Sequence, residues 1–185
     1  MMSTRVLVTF ASRAGSTAGV AEAIGETLTK AGLQVDVCPM QAVNNLSPYQ
    51  AIVAGSAIQD KAWLPEAIEF MESHRSQLTQ KPVAVFLVCM TLAMKNQQWV
   101  EQAHVGDWLA PVRAIVTPVS EGLFAGALKL DKVPDRWARF GFRLSILFGM
   151  WAEGDHRDWA AIRTWAAALP AKFATPITSH LKENA

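Results

Sequence analysis

A short polar run near the start of the chain combines hydroxyl side chains with one glycine. Residues 12–17 read Ser-Arg-Ala-Gly-Ser-Thr and stand between an apolar run and an amphipathic segment. Where a strand leads into a helix in this way, backbone N–H groups and the positive end of the helix dipole converge on an anion. Ser12, Ser16 and Thr17 add donors without adding charge, and Gly15 allows the sharp turn. The run therefore predicts a phosphate-binding loop.

The composition of this loop distinguishes between classes of nucleotide. A Walker loop requires GxxxxGK[ST], and a dinucleotide fingerprint requires GxGxxG with an acidic residue at the end of the second strand. The run has one glycine and no lysine, and the second apolar run ends at Val37-Cys38-Pro39. Hydroxyl donors suit a monophosphate that brings no magnesium, so we predict FMN rather than NAD or FAD. The alternative is that Ser12, Ser16 and Thr17 are ordinary loop and helix-capping residues.

Apolar runs alternate with segments of helical spacing along the chain, as in a sheet of parallel strands covered on both faces. The predicted strands are Arg5–Ala11, Leu33–Cys38, Gln50–Gly55, Val83–Val88 and Val112–Val119. The predicted helices are one that ends at Gly32, then Pro65–Leu78, Gln97–Leu109 and Arg157–Leu169, the last closed by Pro170. We therefore predict one α/β domain over residues 1–185, a flavodoxin-like three-layer sandwich with strand order 2-1-3-4-5.

In this topology a ligand occupies the crevice at the carboxyl ends of the strands, where the strand order reverses. Two loops flank that crevice, one after the third strand and one after the fourth, and a third segment lies near residues 122–127. Trp63 is a candidate for stacking on a flavin, but a core position is the favoured interpretation. The predicted cofactor contacts are Ser12, Arg13, Ala14, Gly15, Ser16 and Thr17 for the phosphate, and Ser56, Ala57, Ile58, Cys89, Met90 and Thr91 for the ring.

Residues 121–156 exceed what a minimal sheet of this type needs, and part of them has an amphipathic pattern. On a helical wheel, Trp137, Phe140, Leu144, Leu147 and Trp151 form one stripe, beside arginines at 136, 139 and 143. One interpretation is a helix that packs on the domain or forms a homo-oligomer interface. The other is a helix that lies on a membrane or walls a pocket for a large apolar, acidic substrate. The candidate contacts are Arg136, Trp137, Arg139, Phe140 and Arg143.

Composition and charge exclude several classes of function. Hydrophobic residues make up 51% and charged residues 18%, which excludes intrinsic disorder, and a net charge of +1 argues against nucleic acid as a partner. Cys38 and Cys89 are predicted to be free thiols, and neither they nor the four histidines have metal-ligand spacing. The first apolar stretch is too short for a signal peptide, so we expect a cytoplasmic protein, with the inner face of the membrane as the candidate site of attachment.

These motifs resemble known families. The run SRAGST matches the flavodoxin phosphate motif [ST]-x-x-G-x-[ST], and the segments GLFAGALK, DRWxRFxxRL and GDxxDW are similar to the flavodoxin-type, quinone-dependent protoporphyrinogen IX dehydrogenases. That resemblance implies an FMN enzyme of heme biosynthesis that oxidises a porphyrinogen and passes electrons to a quinone at the membrane surface. The flavin would do the chemistry, and no catalytic side chain is assigned. The alternatives are an electron-transfer protein without its own substrate, or a flavin-free scaffold that uses the late helix for assembly.

Overall fold

The structure is a computed structural model that describes residues 4–128, 140, 141, 144, 146, 147 and 152–174. Its strands are β1 (Arg5–Ala11), β2 (Gln34–Pro39), β3 (Ala51–Gln59), β4 (Ala62–Trp63), β5 (Val83–Cys89), β6 (Ser120–Ala125), β7 (Ala127–Leu128) and β8 (Gly154–Asp155). Its α-helices are α1 (Ser16–Lys30), α2 (Pro65–Ser73), α3 (Arg75–Leu78), α4 (Gln97–Gln102), α5 (Ala110–Arg113) and α6 (Trp159–Phe173). Short 3-10 turns cover Met40–Ala42, Thr91–Ala93 and Val105–Leu109.

The central sheet is parallel and runs in the order β2-β1-β3-β5-β6, with the short β4 attached to β3 in antiparallel fashion. This is the predicted order 2-1-3-4-5 once β4 is left out. Alternate residues of the strands face two separate cores. Val8 and Phe86 pack against α1 and α6, whereas Leu7 and Leu87 pack against α2 and the elements around α5. The three-layer α/β fold is confirmed.

The fifth strand of the sheet is β6, and the prediction of a strand over Val112–Val119 is wrong. Val112, Ile115 and Val116 lie within about one helical turn of each other, and all three are buried in the core on the α2 side. Pro118 has no N–H to give to a ladder. The true strand pairs Phe86 of β5 with Gly122. The insertion therefore begins after Ala125 rather than at Glu121.

Two predicted helices are shorter than expected, and one is longer. The segment from Pro65 divides at His74, and the segment from Gln97 ends at Gln102, before His104 adopts a positive φ of 45°. Helix α6 runs past Pro170 to Phe173, because its last turn is held by tertiary contacts. Lys172 Nζ donates a hydrogen bond to Ser120 Oγ at 3.0 Å, and Phe173 packs on the core.

The two ends of the insertion meet in a two-stranded antiparallel ladder of β7 and β8, which pairs Ala127 with Asp155. We call this ladder the neck. The His156 amide donates to the Gly126 carbonyl at 3.1 Å and holds the neck against the end of β6. Within the described part of the chain, no helix has the length and apolar character needed to cross a bilayer.

Candidate functional site: the phosphate loop and the carboxyl edge of the sheet

The parallel register brings the predicted site segments to one edge of the sheet. Ala11, the last residue of β1, lies beside Ser56 of β3, and Ala57 lies beside Val88 of β5. Cys89 in turn lies beside Ala125 at the end of β6. The phosphate loop, the segment after Ser56 and the segment after Cys89 therefore lie next to one another, as the sequence predicted.

The phosphate loop, residues 12–17, turns through a left-handed residue. Gly15 has φ +84° and precedes α1 as its N-cap residue. The Gly15 amide donates to Ser12 Oγ at 3.1 Å, and within the described part of the chain no side chain caps the helix. Among the described residues, the amides of Ser16, Thr17 and Ala18 have no hydrogen-bond acceptor. The first turn of α1 therefore offers three free N–H groups at the positive end of its dipole.

Thr17, the last residue of the phosphate loop, carries a further donor. The residue is fully buried, and its Oγ1 has no hydrogen-bond partner among the described residues. A buried hydroxyl without a partner costs about 1–3 kcal/mol, and a bound phosphate at the loop that contains Thr17 would offset that cost. The phosphate loop therefore has both free amides and a free hydroxyl for an anion.

Arg13 is part of the loop, but its side chain turns away from the helix start. Its guanidinium forms a salt bridge of 3.1 Å with Glu66 in the first turn of α2. A second hydrogen bond, also 3.1 Å, joins Nη2 to the other carboxylate oxygen of Glu66. The guanidinium of Arg13 is thus paired with a carboxylate. If Arg13 contacts the phosphate as predicted, the contact would come from its main chain.

The segment after Ser56 is a β-hairpin rather than the predicted loop. Strand β3 continues to Gln59, and Asp60 and Lys61 form the turn with positive φ values of 52° and 62°. The Ser56 hydroxyl is buried, donates to the Ala57 carbonyl at 2.8 Å and accepts the Leu64 amide at 3.1 Å. That hydroxyl already holds the hairpin together. If Ser56 contacts the ring as predicted, the contact would therefore come from its main chain.

Trp63 and Cys89 are core residues. The Trp63 side chain is 2% exposed and packs in the core on the α2 side, so the favoured core interpretation is confirmed and stacking on a flavin is excluded. Cys89 lies in the same core, and burial raises the pKa of its thiol. Met90 and Thr91, which follow it, are partly exposed at the edge of the sheet. Cys38 and Cys89 are both free, with two strands of the sheet between them.

A model of the flavodoxin domain matches residues 7–158. The chain belongs to the flavodoxin domain family. Flavodoxin 2 from Bacillus cereus is similar in fold, at 21% identity and a TM-score of 0.58, over 92% of this chain and 100% of that one. A flavodoxin from the domain Archaea has 18% identity and a TM-score of 0.57, over 93% of this chain and 100% of the other. No curated protein matches the chain in sequence.

Membership of the flavodoxin domain family implies FMN as the cofactor, and the residues of the phosphate loop fit a monophosphate. Three free amides and the unpaired Thr17 hydroxyl are the donors that a phosphate dianion needs. The flavodoxin domain would hold the phosphate at residues 12–17, with the hairpin and the segment 89–91 beside the ring.

One residue near the phosphate loop of this flavodoxin domain was not identified from the sequence. Arg157, between the neck and α6, donates from Nη1 to the carbonyl oxygen of Ser16 at 3.2 Å. Its distance from Ser16 along the chain hid the contact. The available signal is the GDxxDW run at the start of α6, whose two acidic residues could each cap that helix or bind a cation. Asp158 does cap α6, since its Oδ1 accepts the Ala161 amide at 2.9 Å, but Asp155 binds Arg157 instead.

The predicted contacts in the insertion fall mostly outside the described residues: Arg136, Trp137, Arg139 and Arg143. Phe140 is described and is 60% exposed. Leu144 and Leu147, on the same predicted stripe, are 43% and 79% exposed. The described members of that stripe therefore leave apolar surface open to solvent.

Proposed function

We propose that this flavodoxin domain is an FMN-dependent oxidoreductase that oxidises a large, flat, acidic substrate of the porphyrinogen class and passes the electrons to a quinone. The observation that carries this proposal is the position of the insertion. It leaves and re-enters the domain at the neck, on the same sheet edge as the phosphate loop. The Gly126 amide donates to the Cys89 carbonyl at 3.1 Å, and a Cβ at Gly126 would lie 3.7 Å from Ser16 Oγ.

The exposed apolar residues of the insertion support a role in substrate or membrane contact. Phe140, Leu144 and Leu147 are open to solvent, and exposed apolar surface is typical of binding faces. A porphyrinogen offers flat apolar rings to such a surface and carboxylates to the arginines of the same segment. Because respiratory quinones dissolve in the bilayer, we propose that the insertion meets the membrane surface.

The roles of the chain's own residues in this reaction are binding and orientation. FMN, when bound, supplies the ring that accepts a hydride or an electron pair from the substrate and returns it to the quinone. The phosphate loop fixes the monophosphate end, and the hairpin that Ser56 braces forms a rigid wall beside the ring. Core packing of Cys89 keeps its thiol out of the reaction.

The test is anaerobic turnover of protoporphyrinogen by the FMN-loaded protein with a quinone in lipid vesicles, followed by porphyrin fluorescence. Leu147→Ser removes the most exposed of the three apolar side chains and should lower turnover by roughly tenfold, the worth of burying one leucine. Val37→Ser is the matched control, since Val37 is an exposed apolar residue on the far edge strand β2. Lack of turnover by the wild-type protein would contradict the proposal.

The second candidate is an electron-transfer protein without a substrate of its own. This candidate is supported by the similarity in fold to solved flavodoxins, because the alignment spans 100% of the Bacillus cereus flavodoxin chain. Against it, the net charge of +1 gives little electrostatic steering onto a charged partner. Fast reduction of the bound flavin by a reductase, with no oxidation of porphyrinogen, would favour this function over the first.

A further inference from the structure

We propose that Arg157 is a positioning residue of the phosphate site and that it couples FMN binding to the neck of the insertion. The inference rests on the assignment of FMN to residues 12–17. Arg157 lies outside the phosphate loop, at the C-terminal end of the insertion, and contacts that loop through its side chain. Arg157 acts through Ser16 and through Asp155, so its effect is on the geometry of the loop.

The guanidinium of Arg157 is fixed at several points. Nε and Nη2 donate to the two oxygens of Asp155 at 2.7 Å each, and the Arg157 amide donates to Asp155 Oδ1 at 3.1 Å. Nη1 is left for the Ser16 carbonyl. The group also lies 4.2 Å from the centre of the Trp159 ring, and the side chain is only 14% exposed. An arginine held in this way places its remaining donor in one direction.

Ser16 is the first residue of α1, so a donor on its carbonyl holds the first turn of that helix. The amides that follow, those of Thr17 and Ala18, are among the free donors for the phosphate. Because Asp155 neutralises Arg157, we expect little direct attraction between the guanidinium and the phosphate. The contribution of Arg157 is therefore to keep the free amides pointed at one place.

Gly19 leaves the space that this arrangement requires. A Cβ added at Gly19 would lie 2.5 Å from Arg157 Nη1, which is closer than atoms in contact approach. An alanine there is a better helix former than glycine by about 1 kcal/mol, so it favours α1 while it displaces the guanidinium. A loss of FMN affinity in Gly19→Ala would therefore come from the displaced Arg157 guanidinium and not from a weakened helix.

The same contacts connect the phosphate loop to the insertion. Asp155 belongs to β8 and pairs with Ala127 of β7, and His156 donates to Gly126. Arg157 thus bridges the first turn of α1 to the strand that closes the neck. If this bridge couples the two, FMN binding and the pairing of β7 with β8 favour each other by the same factor, because coupling between two sites is reciprocal.

The test measures FMN and riboflavin affinity by quenching of flavin fluorescence, for wild type, Arg157→Gln, Arg157→Lys, Gly19→Ala and a control. The control is Arg75→Gln, because Arg75 is an exposed arginine of α3, on the opposite face of the sheet from α1 and α6. Arg157→Gln and Gly19→Ala should weaken FMN binding by about tenfold and leave riboflavin binding unchanged, since riboflavin has no phosphate. Arg157→Lys, which keeps one donor, should give an intermediate affinity, and Arg75→Gln should match wild type.

A second readout follows the neck itself. Hydrogen exchange at the amides of His156 and Arg157 should slow when FMN binds to the wild type, and this protection should be lost in Arg157→Gln. If the wild type binds no FMN, the cofactor assignment fails and the inference with it. If the wild type binds FMN and the Arg157 and Gly19 variants bind it equally well, the inference alone is wrong.

Discussion

The Gly15 amide donates a hydrogen bond to the Ser12 hydroxyl at 3.1 Å, and this bond closes the phosphate loop on itself. The turn is possible because Gly15 adopts φ +84°, a conformation that side chains with a Cβ rarely take. The next three amides have no hydrogen-bond partner among the residues that the structure describes. The donors for a phosphate therefore depend on one glycine and one serine.

Gly15→Ala should weaken both folding and FMN binding. A Cβ at Gly15 meets no atom within 4 Å, so the cost comes from the left-handed backbone, roughly 1–2 kcal/mol for alanine. Relaxation of the turn would also redirect the amides of Ser16 and Thr17. Gly15→Asn is the matched variant, because asparagine tolerates this conformation better. Urea unfolding and an FMN titration should both rank glycine first, asparagine second and alanine last; equal values for alanine and glycine would contradict this prediction.

Thr17→Val should lower FMN affinity by about tenfold while leaving the FMN-free protein as stable as before or more stable. The reason is that the Thr17 hydroxyl is buried without a partner, so its removal relieves a desolvation cost in the free protein and takes away a donor in the complex. Thr9→Val is the matched control. Thr9 is also fully buried with an unpartnered hydroxyl, but it lies inside β1. Both variants should gain stability, and only Thr17→Val should lose affinity; a loss in both would show that the hydroxyl at position 17 has no special role.

Ser56→Ala should destabilise the hairpin and the protein by about 1–3 kcal/mol. The substitution leaves the buried Leu64 amide without its acceptor. Ser73→Ala is the comparison. The Ser73 hydroxyl donates to the Phe70 carbonyl and also lies 3.0 Å from His74 Nδ1, but both contacts are near the surface, so its loss should cost less than about 0.5 kcal/mol. The free energy of unfolding in urea measures both. Equal effects at the two positions would mean that the Ser56 hydroxyl does not brace the hairpin.

The stability of the protein should fall at alkaline pH because of Cys89. Burial is the largest influence on the pKa of this thiol and raises it, against smaller opposing effects of hydrogen bonds with Leu92 and Thr91. The folded protein therefore holds the thiol proton more tightly than the unfolded chain. That contribution is complete below the ordinary thiol pKa of about 8.5 and is lost as the pH rises through the higher value of the folded state.

The check is the free energy of unfolding from neutral pH to about pH 10 for wild type, Cys89→Ala and Cys38→Ala. Burial and Asp36 also raise the pKa of Cys38, but that residue is more exposed than Cys89. Cys89→Ala should therefore flatten the alkaline decline more than Cys38→Ala does. An alkaline slope that Cys89→Ala leaves unchanged would assign the decline to other groups.

Most of the sheet could be predicted from the sequence, because β-branched runs such as Arg5–Ala11 have no polar face and must be covered on both sides. The error at the fifth strand has a physical cause. The run 112–119 is apolar enough for a buried strand, but the spacing of Val112, Ile115 and Val116 is that of a helical turn. The true strand β6 is at the edge of the sheet and alternates buried and open residues, a weaker signal. Pro170 similarly predicted a helix end that tertiary contacts override.

The candidate site, like the sheet, could be predicted from the sequence only in part. The position of the phosphate loop follows from local features, a strand, a glycine and three hydroxyl residues, which the sequence states directly. The hydrogen bonds and ion pairs of individual side chains depend on partners far away along the chain. Glu66 binds the side chain of Arg13, and the Leu64 amide donates to the hydroxyl of Ser56, and the sequence gives no local sign of either partner. The contact of Arg157 with Ser16 spans the whole insertion, and the GDxxDW run around Arg157 does not indicate that its partner lies in the phosphate loop.

The most direct test of the account is calorimetric titration of the purified, flavin-free protein with FMN and, separately, with riboflavin. If residues 12–17 hold the phosphate, FMN should bind with one-to-one stoichiometry and at least about a hundredfold more tightly than riboflavin, as expected for several charge-assisted hydrogen bonds. Equal affinities for the two flavins, or no binding of FMN, would contradict the assignment of the phosphate loop.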